Sequence, residues 1–161
     1  MTRPLIYVDI DGVLNRYLMS PAEARARGYV TVKREVDMRI YTLHLDPADT
    51  ARLTSLTDLG DLALGTTWQG RAPSVGSVIG LPDNMPIAYQ PKMSEYRKGA
   101  WMVAHAKDRP FVWFDDQATD ADRELIVAHE PGALIVDVDP WAGLTDANIA
   151  AARTWLEGRA R

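Results

Sequence analysis

Three apolar runs in this chain end on side chains suited to holding a cation or a phosphate. Leu5-Ile6-Tyr7-Val8 runs into Asp9-Ile10-Asp11-Gly12, and Leu62-Ala63-Leu64-Gly65 runs into Thr66-Thr67-Trp68. Phe111-Val112-Trp113-Phe114 runs into Asp115-Asp116, while Lys98 stands just before a helical segment beginning at Gly99. A carboxylate at the end of a buried strand is costly unless a cation or hydrogen bonds compensate it. Carboxylates from two strands can hold a hard, oxygen-seeking ion such as Mg²⁺. A hydroxyl and a lysine ammonium suit phosphate oxygens. The N–H groups of the Asp11–Leu14 turn could add a small anion-binding concavity. A cation and a phosphate cradle beside a free carboxylate suit phosphoryl transfer through an aspartyl-phosphate.

Such residues converge only if their strands are parallel and share one edge. Short apolar runs alternating with helical patterns predict an α/β fold, a Rossmann-like parallel sheet of about five strands flanked by helices. The expected strands lie near Leu5–Val8, Asp61–Leu64, Pro86–Ala88, Phe111–Phe114 and Ala133–Val136. Asp46-Pro47-Ala48-Asp49 reads as a helix start with Asp46 as N-cap, the helix stopping at Gly60. Further helices are expected from Gly99 to Lys107, from Thr119 with Asp122, and from Thr145 with Asn148 to about Glu157. A short helix is expected around Val75–Ile79. The alternating runs 29–34 and 38–45 predict a β-hairpin flap after the first strand, within an insertion of about residues 16–45 in a single domain of 161 residues.

Composition narrows the chemistry. With no cysteine, zinc–thiolate sites, iron–sulfur clusters and thiol nucleophiles are excluded. A net charge of -4 argues against a broad electrostatic surface for nucleic acid or membrane. No apolar run approaches the ~20 residues needed to cross a bilayer, and no signal-peptide pattern is present, so a cytoplasmic location is expected. There is neither a P-loop motif nor a GxGxxG. An EF-hand reading of Asp9-Ile10-Asp11-Gly12 fails because the glycine comes too early and no glutamate closes the loop. Thr67 competes with Thr66 for a phosphate contact, and Lys92 competes with Lys98. Trp68 could stack on a base or ring, or simply pack. Asp120 and Asp122 read as helix-capping residues, and His44, His105 and His129 lack ligand spacing.

Taken in order, Asp9-Ile10-Asp11-Gly12-Val13-Leu14, Thr66, Lys98 and Asp115-Asp116 resemble the four motifs of the haloacid dehalogenase (HAD) superfamily of phosphohydrolases. Gly65-Thr66-Thr67-Trp68 and the Asp139–Asp146 segment are similar to small actinobacterial and phage HAD-like proteins. The resemblance implies Mg²⁺ as cofactor, held by Asp9, Asp115, Asp116 and the backbone carbonyl of Asp11. It makes Asp9 the nucleophile and Asp11 the acid/base. Thr66 would contact the phosphoryl oxygens, Lys98 would neutralise charge, and Asp116 would assist through water or by holding Lys98. The expected activity is phosphomonoester hydrolysis of a phosphorylated small molecule, such as a nucleotide, or of a nucleic-acid end. A non-catalytic phosphate-binding module and a phosphotransferase are the alternatives.

Overall fold

The computed structural model describes residues 2–91 and 97–159. Its centre is a four-stranded parallel sheet built from β1 (Leu5–Val8), β4 (Asp61–Leu64), β5 (Phe111–Asp115) and β6 (Ala133–Asp137), in the order β4-β1-β5-β6. Side chains of a strand alternate between faces, and both faces of this sheet are covered. Ile6, Val8, Val112 and Phe114 belong to one apolar cluster, Leu5, Tyr7, Phe111 and Trp113 to the other. The first cluster is completed by α2 (Asp49–Thr54), α3 (Ala72–Ile79) and α6 (Asp146–Arg159). The second is completed by α4 (Lys98–Ala106) and α5 (Asp120–Val127). Burial on both faces explains why the strands read as continuous apolar runs.

The expected fifth strand at Pro86–Ala88 is not a strand. Ile87 makes only an isolated parallel bridge to Leu64 at the open edge of β4, closed by Leu64 N to Pro86 O and Ala88 N to Leu64 O. Pro86 has no N–H to donate, so the run cannot extend a ladder. The helix expected from Asp46 begins three residues later, at Asp49. The Asp46 carboxylate accepts from Ala48 N at 2.9 Å, which makes a turn ahead of the helix instead of capping it. α2 also ends early, at Thr54, and the chain reaches Gly60 through tight turns such as Leu59 N to Leu56 O. The Thr119–Asp122 and Thr145–Asn148 pairs do start helices, each threonine hydroxyl accepting from the backbone N–H three residues on.

The flap is an antiparallel hairpin, β2 (Val30–Val36) with β3 (Arg39–Leu45). It turns at Asp37 and Met38, both with positive φ. It joins the core through Leu43 and Leu45 towards its base and through Val36 beside its turn. Ahead of it lies α1 (Pro21–Ala26), absent from the sequence expectations although Ser20 and Glu23 form a capping box there. Among the described residues no helix is long and apolar enough to cross a membrane.

Candidate active site

β1 lies between β4 and β5, so the chain turns to one side of it and later crosses to the other. This switch point is where open parallel sheets bind ligands, outside the carboxyl ends of the strands. Val8 is in register with both Leu64 and Phe114. The next residues, Asp9, Gly65 and Asp115, therefore stand at one level, with Asp115 still paired to Asp137 of β6. Asp9 N donates to Phe114 O at 3.1 Å and Gly65 N to Val8 O at 3.0 Å, which fixes that level.

Lys98, 89 residues away from Asp9 in sequence, reaches this edge from the first turn of α4. Its ammonium donates to Asp9 Oδ2 at 2.6 Å and also to Asp115 Oδ2. The free carboxylate oxygens are fixed by backbone: Ile10 N donates to Asp9 Oδ1 at 2.7 Å, and Gln117 N to Asp115 Oδ1 at 2.8 Å. Burial alone would lower the Lys98 pKa, but Asp9 and Asp115 outweigh it and hold the amine charged. Burial pushes the Asp115 and Asp116 carboxyls above their ordinary range. Asp122 steadies the start of α4, because its Oδ1 accepts from Gly99 N at 2.8 Å while Oδ2 caps α5. It has the capping role expected of it. Asp116 makes no ion pair with Lys98 among the described residues.

Asp9, Asp115 and Asp116 each present an oxygen within 4.8 Å of the others. Three carboxylates against the one ammonium of Lys98 leave two formal negative charges in a largely buried cluster. Asp116 Oδ2 is buried with no hydrogen-bond partner. An unpaired buried carboxylate oxygen and a twofold negative excess fit a hard divalent cation. Gly12 carries φ +79°, and a Cβ there would land on the Asp116 carboxylate. If the three carboxylates hold a divalent cation, Gly12→Ala is expected to weaken its apparent affinity by about 10–100-fold by displacing Asp116. Mg²⁺ titration of activity, or of thermal stability, checks this.

Asp11 is excluded from the carboxylate cluster. Its Oδ1 accepts from Asn15 Nδ2 at 2.7 Å and its Oδ2 from Trp68 Nε1 at 2.9 Å. Burial raises its pKa, and those two donors only partly offset the rise. Asn15 Oδ1 also accepts from His44 N, and the Trp68 ring sits edge-on to Tyr41 at 4.6 Å, so the hairpin helps to hold Asp11. Asn15 was not singled out in the sequence, and the only signal it gives is its place at the end of the acidic turn. Three of the N–H groups of that turn are already engaged within it. Gly12 N is used by Asn15 O, and Val13 N and Leu14 N both point to Ile10 O.

The two threonines separate. Thr66 is fully buried and its hydroxyl accepts from Trp68 N, which closes the turn. Thr67 lines a cleft of about 250 Å³ with Asp9, Asp11, Tyr17, Lys98, Asp116 and Gln117. Trp68 is buried, packs edge-on to Tyr41 and has its indole N–H committed to Asp11. Lys92, the competitor of Lys98, lies outside the described residues. His44, His105 and His129 bond to Thr31, Tyr7 and the Arg109 carbonyl respectively, away from the acids. A larger cavity of about 500 Å³ opens at the amino ends of the strands, beside Pro4 and Pro110, and has no acid cluster.

No protein-family model matches the chain, and no curated protein matches it.

Proposed function

We propose that this chain is a Mg²⁺-dependent phosphomonoester hydrolase of the HAD superfamily, with a Rossmann-like core and a small hairpin cap. The observation that carries the reading is the meeting of Asp9, Lys98, Asp115 and Asp116 at one sheet edge, with Asp11 held separately beside them. Asp9, Asp115 and Asp116 would hold the metal, which supplies charge neutralisation for the incoming phosphoryl group.

Asp9 attacks phosphorus through a carboxylate oxygen, and the bond to the leaving oxygen breaks. Asp11 gives that oxygen its proton. Burial keeps the Asp11 carboxyl protonated to higher pH than usual, while Asn15 and Trp68 keep the carboxylate form within reach. The Asp11 carboxylate then takes a proton from water, whose oxygen attacks the phosphorus of the acylphosphate. Inorganic phosphate leaves and Asp9 is restored. Lys98 holds the Asp9 carboxylate in place and offsets charge on the transferring group. Thr67 lines the cleft, and Thr66 keeps the turn that positions it.

Turnover of an aryl phosphate is expected to require Mg²⁺, to stop on chelation and to return when Mg²⁺ is restored. Turnover that persists in excess chelator removes the metal from this reading. If no member of a broad phosphate panel is hydrolysed while Mg²⁺ still raises the melting temperature, the chain is a binding module instead.

A further inference from the structure

Asp11 separates two clefts. On one side lie Asp9, Lys98 and Asp116; on the other, a smaller cleft of about 160 Å³ is lined by Asp11, Tyr41, Thr67, Trp68 and Arg71. If Asp11 protonates the leaving oxygen, the phosphoryl group occupies the first cleft and the rest of the substrate must pass Asp11. The second cleft adjoins Asp11 there. Arg71 is its one lining cation among the described residues, whereas Lys98 is committed to Asp9 and Asp115. Arg71 is exposed, lies 5.8 Å from the Trp68 ring centroid and meets Asp37 of the hairpin turn only at 3.8 Å. A loose, exposed pair of this kind gives way readily to a better anion. A guanidinium grips phosphate with a planar fork.

We propose that this second cleft binds a phosphate or phosphodiester carried on the leaving portion of the substrate, so that the preferred substrate is phosphorylated twice. The inference rests on the phosphatase reading and deepens it. It selects substrates whose leaving alcohol bears another phosphate over simple monoesters. A free nucleoside bisphosphate and the phosphorylated end of an oligonucleotide share that chemistry.

The test compares a nucleoside 3′,5′-bisphosphate, a 5′-phosphorylated dinucleotide and the matching nucleoside monophosphate as substrates of the full chain. The wild type is expected to favour at least one doubly phosphorylated substrate by about tenfold in kcat/KM, the worth of one charge-assisted contact. Which of the two is favoured identifies the source. Arg71→Ala is expected to erase that preference mainly through KM, and Arg71→Lys to keep part of it. An unchanged preference in Arg71→Ala, or no preference in the wild type, overturns the proposal. If no phosphate ester is hydrolysed at all, the phosphatase reading has failed, and calorimetric binding of the bisphosphate then decides the cleft separately. Binding lost in Arg71→Ala supports the cleft, and binding equal in both proteins overturns it.

Discussion

Asp9→Asn is expected to reduce turnover of an aryl phosphate by about 10⁴-fold or more, the scale on which removal of a nucleophile acts. The amide keeps the carboxylate's shape and one oxygen, so it can still accept from Ile10 N or Lys98, and the fold should survive. It is a poor nucleophile toward phosphorus and leaves Lys98 paired with Asp115 alone. Steady-state rates at saturating Mg²⁺, beside a circular-dichroism melt, separate chemistry from folding. A variant that stays folded and keeps activity within about tenfold of the wild type would falsify the nucleophile assignment.

Arg16→Met is expected to produce the largest loss of stability, about 3–5 kcal/mol, as breaking one side of a buried ion pair does. Arg16 is fully buried and reaches Asp49 with both terminal nitrogens. It also donates to the carbonyls of Leu14 at 2.8 Å and Ala142 at 3.2 Å. Burial raises the Asp49 pKa even against this partner, so the pair is held at a desolvation cost. Methionine would leave Asp49 with only Arg52 and would orphan carbonyls at both ends of the chain. At about 2–4 °C per kcal/mol for a chain of this size, a fall of about 10 °C in melting temperature is expected. Because Leu14 belongs to the turn that carries Asp11, activity should fall before the melt. A shift below about 2 °C would show that the pair is dispensable.

The legible part of the fold is the part written locally. Asp9 and Asp115 stand at strand ends because an apolar run stops there, and a run of four or five residues suffices to show it. Thr119 with Asp122 and Thr145 with Asn148 start helices through hydrogen bonds spanning three residues. The Ser20–Glu23 box has the same spacing, and sequence reading missed it inside what looked like an insertion. Asp46 also carried a cap signal, yet its carboxylate settled on Ala48 N two residues on. Such alternatives lie close in energy, and local pattern does not separate them.

The site divides the same way. Residue types at the ends of Leu5–Val8 and Phe111–Phe114 already select carboxylates for a hard cation, and Lys98 before Gly99 already suggests an anion or carboxylate partner. Which groups meet was decided by strand order. Only with β1 between β4 and β5 do Asp9 and Asp115 come to share one ammonium. Asn15 and Trp68 became the partners of Asp11 because the hairpin base and the turn after β4 close over it. Thr67 rather than Thr66 faces the cleft because one residue's step in a tight turn exchanges inside for outside. Nothing adjacent in sequence marks Arg16 for burial, and only the fold brings Asp49 and the Ala142 carbonyl around it. The sequence determined which residues end each element, since that is short-range backbone chemistry. Tertiary structure alone decided their partners, since hydrogen bonds and ion pairs across 33 to 126 residues depend on how the elements pack.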